Sequence, residues 1–436
     1  MDKIQQLILD KIDAEREAII AFGKSIKGEI GFCENDTSQK FKSALESIGL
    51  KTENNIAITG VRATLNGNAN ADHCPNITII GELDGILCPA HPLANPENGV
   101  AHACGHSAQL AAVYGAAMAL SVPQVADRLF GSVGFFAVPA EEYLSDKQRT
   151  VAGKLGVKYC CGKSELIRIG AFDDTDIALV SHAHMVESSD DILLGLNAAC
   201  GFMSKTVIMH GKSAHAAAAP WLGVNALSAA TLALSAVGLL REGFKDSDCI
   251  RIHTNITNGG SAVNVVPDTV VIEAMIRGKS LSAIKDAAQK FDCAMRYSAM
   301  AIGAQAEIID RQGYMPLGAC LPSDAAKAAV GAISGISIEE IDESVINFAS
   351  TDVGDLSQIM PVIGFTHGGV EGALHSAEFK IINDETAYIL PAKLFALETY
   401  ELLKNGAYMA KNILAQHKPV FTKQQYMAAV EGKEYG

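Results

Sequence analysis

Gly131-Ser132-Val133-Gly134-Phe135-Phe136-Ala137-Val138-Pro139-Ala140-Glu141-Glu142 is the stretch on which the fold turns. Its first part is apolar on consecutive rather than alternate positions, so Gly131–Val138 reads as a strand buried on both faces. Asn55–Thr59, Asn76–Gly81, Ile177–Ser181 and Pro361–Phe365 read the same way. Between them lie helical runs, His106–Leu120 and Asp324–Ser334, the first so rich in alanine that neighbours must enclose most of it. Ile4, Leu7, Ile8 and Ile12, followed by Ile19, Ile20 and Phe22, predict an amphipathic helix at the start. Such alternation signals an α/β sheet covered by helices, whose chemistry sits on the loops leaving the strand ends.

Residues 200–312 have another rhythm. Ser204–His210, Ile250–Ile256, Thr269–Ile276 and Gln305–Asp310 read as strands, and Asn225–Glu242 and Ser282–Ala299 as helices. The order βαββαβ is the split ferredoxin-like arrangement, complete as a small domain. The expected organisation is therefore an α/β domain in two parts, 1–199 and 313–436, with residues 200–312 inserted between them.

The 436 residues contain 35 Lys and Arg against 49 Asp and Glu, a net charge of −14. A surface that acidic repels phosphate backbones and anionic lipid heads, so neither nucleic acid nor a membrane is the expected partner. Hydrophobic residues make up 49%, enough for large cores, and the apolar stretch Leu110–Leu120 is too short to cross a bilayer. The opening Met1-Asp2-Lys3 mixes both charge signs, unlike a signal peptide. Ten cysteines without a C-x-x-C pair fit reduced thiols, and a cytoplasmic protein is expected.

Four clusters carry candidate chemistry. In His102-Ala103-Cys104-Gly105-His106, a thiol and an imidazole flank one glycine before the alanine-rich helix, and suit an ion such as zinc. A buried cysteine beside a helix-capping histidine, or a cysteine nucleophile with a histidine base, stays open here. Glu141 and Glu142 repel one another unless a cation separates them; one can hold a metal while the other serves as general base. A solvated pair on a loop is the alternative. Ser181-His182-Ala183-His184 offers two imidazoles at another strand end. Asp84, in Gly81-Glu82-Leu83-Asp84, can orient an imidazole ligand. These donors exceed what one tetrahedral ion needs, so two metals sharing a bridging ligand are plausible.

The ordered series Gly81–Asp84, His102–His106, Pro139–Glu142, Gly211–Ala216, Asn264–Asp268, Ser350–Asp355 and His375 resembles the co-catalytic metallohydrolases that include aminoacylases, carboxypeptidase G and N-acyl-amino-acid amidohydrolases. Cys-Gly-His looks like their amidohydrolase branch. The resemblance implies a mixed-sheet, zinc-exopeptidase-like catalytic domain with an inserted lid and dimerisation domain. It further implies two divalent ions, zinc or manganese ahead of nickel or cobalt, held by Cys104, His106, Glu142, His182 and His375. His182 is preferred to His184 because it lies six residues after Asp176. Glu141 would be the general base, His215 would polarise the scissile carbonyl of a neighbouring subunit's substrate, and Asn264 and Arg277 would hold the substrate. Two departures stand out: Glu82-Leu83-Asp84 replaces the His-x-Asp of the peptidase members, and Ser107 follows Cys-Gly-His where Asp or Asn is usual.

The resulting expectation is a dinuclear metal-dependent amidohydrolase or peptidase, a homodimer acting on a small-molecule amide: an N-acyl amino acid, an aryl–amino-acid conjugate or a dipeptide. A non-catalytic metal-binding or scaffold homologue is the alternative.

Overall fold

A computed structural model describes residues 1–68, 74–159, 161–184 and 188–431; Cys160, one of the ten thiols, lies outside them. Two units emerge, one of Met1–Asn197, Ala319–Val345 and Asp355–Gly436, the other of Ala198–Gly318 and Ile346–Gly354.

The first unit is built on an eight-stranded sheet. Its order is Thr52–Ile56, Gly60–Asn66, Ser132–Val138, Asn76–Glu82, Ile177–Ala183, Val362–His367, Ile192–Leu194 and Ile338–Glu340. The four strands from Ser132–Val138 to Val362–His367 run parallel, while Gly60–Asn66 and Ile192–Leu194 pair antiparallel at their flanks. Parallel strands end on the same side, and here the register aligns Glu82 with Val138 and His182 with Thr366. Every residue of Asn76–Glu82 is buried, apolar Ile77, Ile79 and Ile80 as well as Thr78, whose hydroxyl is bonded to that of Thr175 at 2.9 Å.

Helix His106–Leu120 is buried along its entire length. Its alanines admit close neighbours: a Cβ on Gly115 would sit 2.8 Å from Ala392 Cβ and 2.9 Å from Ile19 Cδ1. Each methyl enclosed this way contributes roughly 0.8 kcal/mol and loses no rotamer entropy. Helix Leu390–Gln416, broken at Lys404–Ala407, supplies much of that enclosure.

Several boundaries differ from expectation. The strand expected at Asn55–Thr59 instead ends at Ile56, because Ala57 and Ile58 take φ of 45° and 79° and turn the chain into Gly60–Asn66. The opening helix is two, Lys3–Ala14 and Arg16–Ser25, interrupted at Glu15. The helix from Asp324 stops at Val330, ahead of Gly331.

The second unit holds a four-stranded antiparallel sheet in the order Arg251–Asn258, Thr269–Gly278, Gly201–His210, Gln305–Arg311. Buried and half-buried residues alternate along Thr269–Gly278. Val270, Ile272, Ala274 and Ile276 accordingly share a core with Ala229 and Ala233 of helix Ala226–Leu239 and Phe291 and Met295 of helix Leu281–Ala301. This core is separate from that of the first unit.

Candidate metal centre

Gly105 is the pivot of Cys104-Gly105-His106. Its φ of 91° lies in the left-handed region, where a side chain is costly, and a Cβ there would stand 3.0 Å from Ala183 Cβ. The turn lets Cys104 and His106 face one point as helix His106–Leu120 begins. The parallel strands bring the other groups there. Glu82 ends one strand, Glu141 and Glu142 follow a second, and His182 lies near the end of a third.

The Sγ of Cys104 is 3.3 Å from His182 Nε2 and 3.2 Å from His375 Nε2. His375 Nε2 lies 3.2 Å from Glu142 Oε1, and His106 Nε2 lies 3.1 Å from Glu82 Oε2 and 4.0 Å from Glu141 Oε2. Ligand atoms within 4.8 Å of one another form three overlapping groups: Cys104, His106 and His182; Cys104, Glu142 and His375; Glu82, His106 and Glu141. Cys104 and His106 each belong to two of them.

The imidazoles are oriented from behind. His106 Nδ1 donates to the carbonyl of Asp84 at 2.8 Å, with Asp84 Oδ1 at 3.5 Å, and His182 Nδ1 donates to the carbonyl of Ala183 at 2.8 Å. Each arrangement leaves Nε2 with its lone pair turned to the cluster, the tautomer a metal requires. His184 faces elsewhere, its ring on Thr366 Oγ1 at 2.8 Å and the carbonyl of Asp190 at 2.9 Å. Asp84 also accepts from the Glu142 N–H at 2.8 Å.

The electrostatics favour positive charge. Burial and the Glu142 carboxylate push the Cys104 thiol well above its ordinary value. Burial opposes charge on His106, yet Glu82 and Cys104 beside it hold the imidazole well above its usual range. Burial would raise Glu82 too, but the Lys163 ammonium at 2.6 Å and His106 pull its carboxyl down to about 2. His106 Nε2, Glu142 Oε1 and Asp84 Oδ1 are buried without a hydrogen-bond partner. An imidazole nitrogen and carboxylate oxygens left without partners, beside the Cys104 thiol, fit a divalent ion.

Of the residues singled out from sequence, Asp84, Cys104, His106, Glu141, Glu142, His182 and His375 are therefore brought together. His215, Asn264 and Arg277 belong to the second unit. There His215 pairs with Val265, and its Nδ1 accepts from the N–H groups of Ala217 and Ala218, which leaves Nε2 as the protonated nitrogen. Asn264 is adjacent, its carbonyl accepting from the Ala216 N–H. Arg277 reaches Ser350 Oγ at 2.5 Å and lies over the Phe202 ring. Sequence reasoning missed Lys163 and Gln109, both buried and bonded to Glu82. The signal was present, since Gln109 is a lone amide in an otherwise apolar helical run.

Residues 197–298 match the peptidase dimerisation domain family. The human Xaa-Arg dipeptidase is 28% identical over 80% of this chain and 75% of its own length. The N-acetyl-L-cysteine deacetylase of Bacillus subtilis is 27% identical over 65% of this chain and 64% of its own. Among solved structures, a dinuclear metal binding peptidase of the M20 family from Bacillus subtilis superposes with a TM-score of 0.64 at 20% identity, covering 90% of this chain and 99% of that one.

Proposed function

Because the chain belongs to the aminoacylase-type metallohydrolase family, we propose that it hydrolyses an amide bond of an N-acyl amino acid, an aryl–amino-acid conjugate or a dipeptide. The convergence of Cys104, His106, Glu142, His182 and His375 beside Glu141 carries this reading.

Those five residues would hold two divalent ions, zinc or manganese before nickel or cobalt. Bound there, the ions supply Lewis acidity, polarising the carbonyl and lowering the pKa of a coordinated water towards neutrality. Asp84 keeps His106 oriented, its backbone carbonyl accepting from Nδ1. Glu141 takes the proton from the attacking water and returns it to the leaving amine. His215 of the partner subunit would donate its Nε2–H to the carbonyl oxygen as negative charge develops. Arg277, with Asn264, holds the substrate's carboxylate. The products are a carboxylic acid and an amino acid or short peptide.

The match to the dimerisation domain supports a homodimer formed through the second unit, whose edge strand Arg251–Asn258 is exposed. No helix among the described residues is long and apolar enough to cross a membrane. Ten cysteines with no C-x-x-C pair support a reducing, cytoplasmic setting.

The test is a screen of metal-loaded protein against acetyl, benzoyl, aminobenzoyl and aminoacyl amides of several amino acids. Turnover that disappears with chelator and returns with zinc or manganese is expected. Stoichiometric metal without turnover of any amide would instead identify a binding or scaffold protein.

A further inference from the structure

Glu141 sits in a turn whose backbone is held from several sides. Ala140, just before it, has a φ of 51°, a left-handed conformation that a residue with a Cβ keeps only when its surroundings impose it. Two carboxyl groups grip the backbone N–H on either side of Glu141. Glu34 Oε1 accepts from Ala140 at 2.8 Å, and Asp84 Oδ2 accepts from Glu142 at 2.8 Å. The carbonyl of Ala140 accepts from the Gly162 N–H at 2.8 Å. Gly31 closes the turn from another side, since a Cβ there would lie 2.7 Å from Ala140 Cβ.

Glu34 is costly where it stands. It is fully buried, and burial together with the charge of Asp84 pushes its carboxyl up to about 8. Its second oxygen accepts from Thr59 Oγ1 at 2.6 Å. It is the N-cap residue of helix Asn35–Ser47, but its side chain makes no cap hydrogen bond, so capping does not explain the carboxyl. What the side chain accomplishes is the bond to Ala140.

We propose that Glu34 is a positioning residue that fixes the strained Ala140 turn and thereby aims Glu141 at its water. The inference rests on the hydrolase reading given above. Asp84 retains its own grip on Glu142, so losing Glu34 displaces the base while the metal ligand stays.

The experiment compares wild type, Glu34→Gln, Glu34→Leu and Thr59→Val for kcat, KM, bound metal and amide hydrogen exchange. Glu34→Leu is expected to lower kcat about 100-fold, with KM and metal content within about twofold of wild type. Glu34→Gln, whose amide oxygen still accepts from Ala140, should stay within about threefold of wild type, and Thr59→Val should lose only kcat, by several-fold. Exchange across residues 139–142 should accelerate in Glu34→Leu but not across 106–120. Wild-type kcat in Glu34→Leu, equal damage from Gln and Leu, or joint loss of metal and kcat would overturn the proposal. Should Glu34→Leu not fold, Thr59→Val decides: unchanged kcat and exchange at 139–142 would refute it. A wild-type protein that cleaves no amide refutes the hydrolase reading instead, and the exchange measurement still judges the contact.

Discussion

His375 brings its Nε2 to 3.2 Å from the Sγ of Cys104, across 271 residues of sequence. His375 adopts a φ of 63°, a conformation uncommon outside glycine, and its N–H donates to the carbonyl of Ala103 beside Cys104. Backbone and side chain thus both tie this loop to the thiol. If Cys104 bridges two ions and His375 binds one, their removal has unequal effects. Atomic absorption after desalting should find about two ions per chain in wild type, about one in His375→Ala, and fewer in Cys104→Ala.

Glu141 reaches 4.0 Å from His106 Nε2 without joining the Cys104 groups. Glu141→Gln should therefore keep its metal while kcat falls by about 10²–10⁴. Steady-state kinetics on the best amide, beside metal analysis of the same sample, checks both halves.

The two histidines at the end of Ile177–Ala183 separate cleanly. His182→Ala should lose metal, because its Nε2 faces Cys104. His184→Ala should retain it and lose about 1 kcal/mol of stability through the bond to Thr366. Metal content and urea midpoints of the two variants test this.

Lys163 and Glu82 form an ion pair within a buried site. Lys163→Met leaves a buried carboxylate without its cation and should cost about 3–5 kcal/mol, whereas Lys163→Met with Glu82→Met should recover much of that. Urea unfolding of both variants reads the difference. A double variant no more stable than the single one would contradict it.

Glu398 is buried against Ser323 Oγ, and burial pushes its carboxyl up to about 8. A raised folded-state pKa means that the folded chain holds a proton the unfolded chain has released. Its contribution is full below the ordinary carboxylate range and is lost as pH rises to about 8. Glu398→Gln keeps the bond and cannot ionise. Its Tm should match wild type near pH 4.5 and exceed it increasingly towards pH 8.

The layered α/β architecture was legible because buried parallel strands leave consecutive apolar residues, as in Ile177–Val180, while Thr269–Gly278 alternates as a one-sided sheet must. The candidate site was legible where chemistry stands out locally: Cys104 and His106 about one glycine, and Glu141 beside Glu142. Strand order was not, because the pairing of Asn76–Glu82 with both Ser132–Val138 and Ile177–Ala183 is non-local. The turn at Ala57 and Ile58 escaped notice because neither residue is a usual turn former. Glu34 and Lys163 also escaped, since charged residues in mixed segments look solvated until the fold shows them fully enclosed.

The most direct test of the metal centre is anomalous diffraction at the zinc edge from crystals of the zinc-loaded protein. Two peaks are predicted, each about 2.3 Å from Cys104 Sγ, with imidazole Nε2 atoms of His106, His182 or His375 at about 2.0–2.1 Å. Zinc-loaded crystals with no peak beside Cys104, or with zinc bound only elsewhere on the chain, would contradict it.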